Sequence, residues 1–387
     1  MGQLYLDYAA TTPVHPDVAA VMLEMLRERW GNPSSIHATG REARRALDEA
    51  RRRVAELVGA PHYRDIIFTS GGTEADNLAV LGAARARAEE GRRHVVTSAV
   101  EHHAVLDACR ALSAEGFDVT IVPVDGEGFV DPDEVRRALR PDTALVTVML
   151  ANNEVGTIQP VAEIARAAHE VGAWVHTDAV QAAGQIPIDV QALDVDLLSL
   201  SAHKIYGPKG AGALYVRSGL RLKPLVFGGG QERAWRPGTE NAAGLVGLGK
   251  AAELARAALE AGEPARLTAL RDRLIDGILE RVPGARLNGP RGRGRLPNNV
   301  HVSLEDVDGE ALLVHLDLAG LAASSGSACT SGSLEPSHVL LALGLPRELA
   351  AAGLRLTLGR PTTEDEIERA LAILEGAVAR VRKVRSA

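Results

Sequence analysis

Three segments carry residue types whose spacing suits chemistry on one small molecule. Thr69-Ser-Gly-Gly-Thr-Glu-Ala-Asp-Asn77 follows an apolar run and opens a helical one, so free backbone N–H groups and the Thr73 hydroxyl could cradle a phosphate. Alone, the segment reads equally as a tight strand-to-helix turn, because its spacing is of neither Walker nor dinucleotide type. In Trp174-Val-His-Thr-Asp-Ala-Val-Gln181 an apolar strand ends at Asp178, which could cap a helix or pair with a cation such as a protonated pyridine nitrogen. Ser201-Ala-His-Lys-Ile-Tyr-Gly-Pro-Lys-Gly210 places Lys204 just past the run Leu197 to Leu200. A surface lysine snorkels, whereas a desolvated one loses its proton and adds to an aldehyde as a Schiff base. The second reading prevails for Lys204, because a phosphate loop, a pyridinium-type aspartate and a lysine each follow a strand of one sheet.

Other candidates stand apart from these. Glu101-His102-His103 could serve a metal, but adjacent histidines on an extended segment point to opposite sides and both cysteines are distant in sequence. No metal is expected. An imidazole at position 102 suits proton transfer. Of the two cysteines, Cys109 sits among small and apolar helical neighbours and reads as a buried, inert thiol. Cys329 lies in Ser324-Ser-Gly-Ser-Ala-Cys-Thr-Ser-Gly-Ser333, where nothing would bury a thiol and glycines would let the side chain swing. Arg291, Arg293 and Arg295 read as a solvated loop rather than an RNA contact.

The elements that must position these groups follow from the apolar pattern. Strands are expected at 66–68, 94–96, 119–122, 144–148, 174–176 and 197–200, alternating with Ala- and Arg-rich helical stretches in parallel βα fashion. Ligands collect at the carboxyl ends of such strands. A long helical stretch from Ala251 to Val282 leads into the Gly/Arg loop 289–295. We expect an α/β fold with a large domain over 14–255. A smaller α+β domain over 1–13 and 256–387 would carry the cysteine loop. Its last helix should begin at the capping box Thr363-Glu-Asp-Glu366, bury Ile367, Ala370, Leu371, Leu374, Val378 and Val381, and end with Arg380, Arg382 and Lys383 at its negative pole. No internal repeat is evident.

With 46% hydrophobic, 24% charged and 3% aromatic residues, the 387-residue chain has the composition of a soluble enzyme core. A net charge of -7 gives no field for stable nucleic-acid binding or for an anionic membrane. The start Met1 to Pro13 has no basic stretch followed by an apolar one and no apolar run is long enough to span a bilayer, so a cytoplasmic protein without a leader is expected.

Asp178-Ala-Val-Gln181 and the Lys204 segment together resemble the fold-type-I pyridoxal-phosphate (PLP) enzymes of aminotransferase class V. Within that class the chain resembles the NifS/IscS-type cysteine desulfurases. Further matches are Leu6-Asp-Tyr-Ala-Ala-Thr-Thr-Pro13, Gly31-Asn-Pro-Ser34, Glu101-His102, Asn152-Asn-Glu-Val-Gly156, Gly238-Thr-Glu-Asn241, Ser324 to Ser331 and Arg355-Leu-Thr-Leu-Gly-Arg360.

The resemblance implies that Lys204 carries the cofactor, His102 stacks on its ring and Asp178 pairs with its ring nitrogen. Gln181 and Asn153 would contact the phenolic oxygen and the substrate side. Gly72, Thr73, Ser201 and His203 would hold the phosphate, with Thr239 reaching it from the second subunit of a homodimer. Arg355, with Asn153, would bind the carboxylate of L-cysteine. Cys329 would take the sulfur as a persulfide, leave alanine, and pass sulfur to an iron–sulfur scaffold or another carrier. A selenocysteine lyase, an eliminating cysteine lyase and an inactive scaffold are the competing readings. The short segment after the last helix, ending at Ala387, makes scaffold docking by a longer tail doubtful.

Overall fold

Apolar runs without alternation belong in strands covered on both faces, and the centre of the protein is such a sheet. The computed structural model describes residues 3–325 and 336–385. Its strands are β1 (Leu4–Tyr5), β2 (Ile66–Thr69), β3 (His94–Ser98), β4 (Asp118–Val122), β5 (Thr143–Thr147), β6 (Trp174–Asp178), β7 (Leu197–Ser201), β8 (Gly212–Val216), β9 (Ala285–Leu287), β10 (Asn299–Leu304), β11 (Leu321–Ala322) and β12 (Gly353–Thr357). Seven of them form one sheet in the order β2-β8-β7-β6-β5-β3-β4. Only β8 opposes the rest, being antiparallel to both β7 and β2. The loops bearing Gly72, His102, Asn153, Asp178 and Lys204 therefore all leave the sheet at the same edge. All six strands expected from sequence are present, each within two residues of its expected bounds.

Helices cover both faces of the sheet, and their small side chains allow close approach. At Gly249, in the helix Ala242–Glu260, an added Cβ would come within 2.5 Å of the Ala50 Cα in the helix Ala38–Leu57. Only glycine fits there. The stretch expected as one helix over 251–282 is instead two, Ala242–Glu260 and Glu263–Arg281. Gly262 between them takes a left-handed φ of 84°, which ends the first helix and redirects the chain.

The second apolar cluster gathers Leu267, Leu274 and Ile278 with Val300, Val302, Leu354, Leu356 and Leu374 around the antiparallel sheet β12-β10-β9. Leu4 and Leu6 join it, and β1 pairs in parallel with β11. The last helix, Glu364–Arg385, opens with the expected reciprocal cap: Thr363 Oγ1 accepts the Glu366 N–H at 3.3 Å and Glu366 Oε2 accepts the Thr363 N–H at 3.0 Å. Its expected apolar face is buried throughout. No helix among the described residues is long and apolar enough to cross a membrane.

Candidate active site

The carboxyl edge of the large sheet opens into a cavity of about 370 Å³ lined by Gly72, Thr73, His102, Asn153, Asp178, Gln181, Ser201, His203, Lys204 and Arg355. Ten of the residues singled out from sequence therefore meet around one space.

At one end, the helix Gly72–Ala88 starts with no side-chain cap. The Glu74 carboxylate turns back to the Ser70 N–H at 2.8 Å and is held by Arg236 Nε at 2.7 Å, which leaves the Gly72 and Thr73 end to an incoming anion. A Cβ on Gly72 would lie 2.9 Å from Val180 Cγ2, so glycine lets this helix start close against the turn after β6. His203 Nδ1 lies 3.1 Å from Thr11 Oγ1. Burial, aided by Lys204 and Lys209, pushes the His203 pKa down to about 4, so its ring is neutral at pH 7.

Asp178 ends β6 and is buried, with Oδ1 accepting the Val180 N–H at 2.8 Å. Burial pushes its pKa up, opposed by His102 and Lys204. Asp76, from the helix Gly72–Ala88, is also buried and lines the cavity. Its pKa is raised well above the usual range, first by burial and then by Asp178. Asp76 Oδ1 has no hydrogen-bond partner among the described residues. Two buried carboxylates this close call for a proton, a cation, or both.

His102 caps the helix His103–Ala114, its Nδ1 accepting the Ala104 N–H at 3.1 Å. In the neutral ring the proton is then on Nε2, and burial lowers the His102 pKa in favour of that neutral form. Lys204 Nζ donates to the carbonyls of Ala9 and, at 2.8 Å, Ala10. Gln181 Nε2 also reaches the Ala9 carbonyl, at 3.0 Å. Thr12 Oγ1 in turn donates to the His203 carbonyl at 2.9 Å. The N-terminal segment is thus a wall of the site. Sequence reasoning matched its motif to a family but gave it no task, since backbone carbonyls carry no residue-type signal.

Arg355 enters from β12 and is buried. Nη1 donates to the Asn153 carbonyl and Nη2 to Asp7 Oδ1, each at 3.0 Å. The residue expected to grip a substrate carboxylate already faces one from its own chain. Asn152 fixes the turn that carries Asn153, its Oδ1 accepting the N–H groups of Glu154 and Val155 at 2.9 Å each.

The sequence model of the family described as aminotransferase class-V matches residues 4–370. The chain belongs to that family. Cysteine desulfurase IscS of Dictyoglomus turgidum is 52% identical over 382 residues, covering 99% of this chain and 96% of that one. Cysteine desulfurase IscS of Methanosarcina thermophila is 50% identical, covering 98% and 93%. A solved NifS-like protein superposes with a TM-score of 0.90 at 38% identity, covering 97% and 99%, and SspA in complex with cysteine with 0.80 at 37%, covering 92% and 98%.

Class-V aminotransferases depend on PLP, and the residues present could hold it. The uncapped helix start suits its phosphate, Lys204 its aldehyde, and the Asp178–Asp76 pair a cationic ring nitrogen. Of the other expected class-V positions, Thr239 is exposed and outside the cavity lining of its own chain. Cys329 lies outside the described residues. Of the residues before and after it, the Ser324 N–H donates to the Arg355 carbonyl at 3.2 Å, and Ser337 Oγ to Glu154 Oε2 at 2.5 Å. Cys109 is buried with its pKa pushed up to about 12 by burial, so its thiol stays protonated. No metal-holding group of side chains occurs among the described residues.

Proposed function

We propose that this class-V protein is a PLP-dependent cysteine desulfurase that takes sulfur from L-cysteine onto Cys329 and releases alanine. The observation that carries the reading is the convergence of Lys204, Asp178 and the uncapped start at Gly72 on one cavity that Arg355 also enters. When bound, the cofactor supplies an aldehyde for Lys204 and a conjugated ring that accepts electrons from the substrate carbons.

Arg355 and Asn153 orient the substrate by its carboxylate, a task suited to a planar guanidinium fork. The Lys204 amine takes the proton from the substrate Cα. His102, with its proton on Nε2, exchanges protons with the substrate thiol and amine. The Cys329 thiolate attacks the substrate sulfur, so an S–S bond forms as the S–Cβ bond breaks and the electron pair stays with the substrate carbons. A proton delivered to Cβ, and one returned to Cα from the Lys204 ammonium, then complete alanine.

Within this reading the enzyme is a homodimer in which Thr239 reaches the partner's phosphate site. A large PLP-binding domain over 14–255 works with a small domain over 1–13 and 256–387. The persulfide goes to an iron–sulfur scaffold or another sulfur carrier in the cytoplasm, where thiols stay reduced. The test is PLP-loaded protein given L-cysteine under anaerobic conditions, followed by peptide mass spectrometry and amino-acid analysis. Alanine together with one added sulfur on Cys329 is expected. Pyruvate in place of alanine, or alanine with Cys329 unmodified, overturns the proposal.

A further inference from the structure

The reading of Arg355 as the grip on the substrate carboxylate leaves its contact with Asp7 unexplained. The guanidinium is 3% exposed and the Asp7 side chain 18%. Of the edges of the fork, Nη2 meets Asp7, Nη1 meets the Asn153 carbonyl, and the buried Nε has no partner among the described residues. A buried guanidinium requires a counter-charge, and among the described residues Asp7 is the carboxylate within 4 Å of it. Burial pushes the Glu154 carboxyl up, opposed by Ser337 and Arg355. His301, opposite Arg355 on β10, is driven down to about 3 and is uncharged.

Asp7 is itself held firmly. Its backbone bridges to Thr357 on β12. Its carbonyl accepts the Tyr5 hydroxyl at 3.0 Å and the Ala10 N–H at 3.0 Å. The same turn then presents the Ala9 and Ala10 carbonyls to Lys204.

We infer that Asp7 is a positioning residue for substrate recognition: through its hydrogen bond to Nη2 it sets the plane in which Arg355 offers its fork to the carboxylate of the incoming amino acid. This rests on the carboxylate-binding role of Arg355, and the two ideas can fail separately. Asp7 acts through Arg355, so its effect should be confined to ligands that carry a carboxylate.

The experiment measures equilibrium binding to PLP-loaded protein, read from the cofactor absorbance, for L-alanine and for ethylamine, which lacks the carboxylate. Asp7→Ala should weaken L-alanine by roughly ten- to hundredfold, the range for losing a charge-assisted hydrogen bond, and leave ethylamine within about threefold. Asp7→Asn keeps an oxygen facing Nη2 and should recover most of the affinity. L-alanine binding unchanged in Asp7→Ala overturns the inference, as does equal weakening of both ligands or an Asp7→Asn variant as weak as Asp7→Ala. Arg355→Gln separates the premises. If it leaves L-alanine unaffected, the carboxylate role of Arg355 fails. If it weakens L-alanine while Asp7→Ala does not, only the role of Asp7 fails.

Discussion

His176 Nε2 and Asp76 Oδ1 lie 3.6 Å apart, both fully buried, too far for a hydrogen bond. The imidazole is instead satisfied by Thr147 Oγ1 at 2.8 Å and Ser199 Oγ at 3.0 Å, and burial drives its pKa to about 3. A neutral His176 cannot balance an ionised Asp76, so Asp76 is expected to keep its proton, and in the proposed function Asp178 is the carboxylate left to meet a cationic ring nitrogen. A wild-type minus Asp76→Asn infrared difference spectrum of the cofactor-free protein at pH 7 should contain the carbonyl stretch of a protonated carboxylic acid. A carboxylate band in its place would contradict the assignment.

Glu101 makes stability depend on pH. It is buried and its pKa is raised to about 8, mainly by burial, despite hydrogen bonds from Ser98 Oγ and the Met149 N–H. The folded state therefore binds this proton more tightly than the unfolded chain. Its contribution is full below the unfolded pKa of about 4.5 and is lost as pH rises through about 8. Urea midpoints of cofactor-free protein should fall across that window. Glu101→Gln should flatten the fall.

At His102 a cap coincides with the proton-transfer role proposed above, and substitution separates them. Asparagine can still accept the Ala104 N–H but cannot carry a proton between groups. His102→Asn should keep thermal stability within about 1 kcal/mol and lower kcat by roughly a hundredfold or more. Loss of stability with kcat intact would reverse that assignment.

Gly249 tests the packing. Alanine there meets the Ala50 Cα at 2.5 Å, so Gly249→Ala should destabilise the protein by about 1–3 kcal/mol in denaturant unfolding. An unchanged midpoint would mean the helices separate freely.

Cys109 should resist alkylation in the folded protein, because burial holds its thiol near pKa 12 and only thiolate reacts. Mass spectrometry should find the Cys109 peptide modified only after denaturant is added. Rapid labelling in the native state would refute this.

Much of this site is legible in the sequence, because both-face burial makes the strands predominantly apolar and leaves Asp178 at the end of one and Lys204 just past another. The family resemblance carried by those motifs proved right. The break at Gly262 was written in Gly262-Glu-Pro264, a glycine stop with a proline two residues on, and the alanine-rich helical pattern on both sides masked it. Asp76 was invisible as a partner of Asp178, since only the packing of its helix onto β6 brings the two together. The work of residues 7–12 was equally hidden, resting on carbonyls and on one ion pair between residues 348 positions apart in sequence.

That separation bears on how the enzyme is born. Leu4 pairs with Leu321, and Asp7 with Arg355, so a chain emerging from the ribosome holds Leu4 and the Asp7 carboxylate without these partners until nearly all of it has been made. The large sheet can form earlier from neighbouring βα units. The anchoring of the wall behind Lys204 to Arg355 and β11 cannot, and a complete site is therefore one of the last things synthesis delivers.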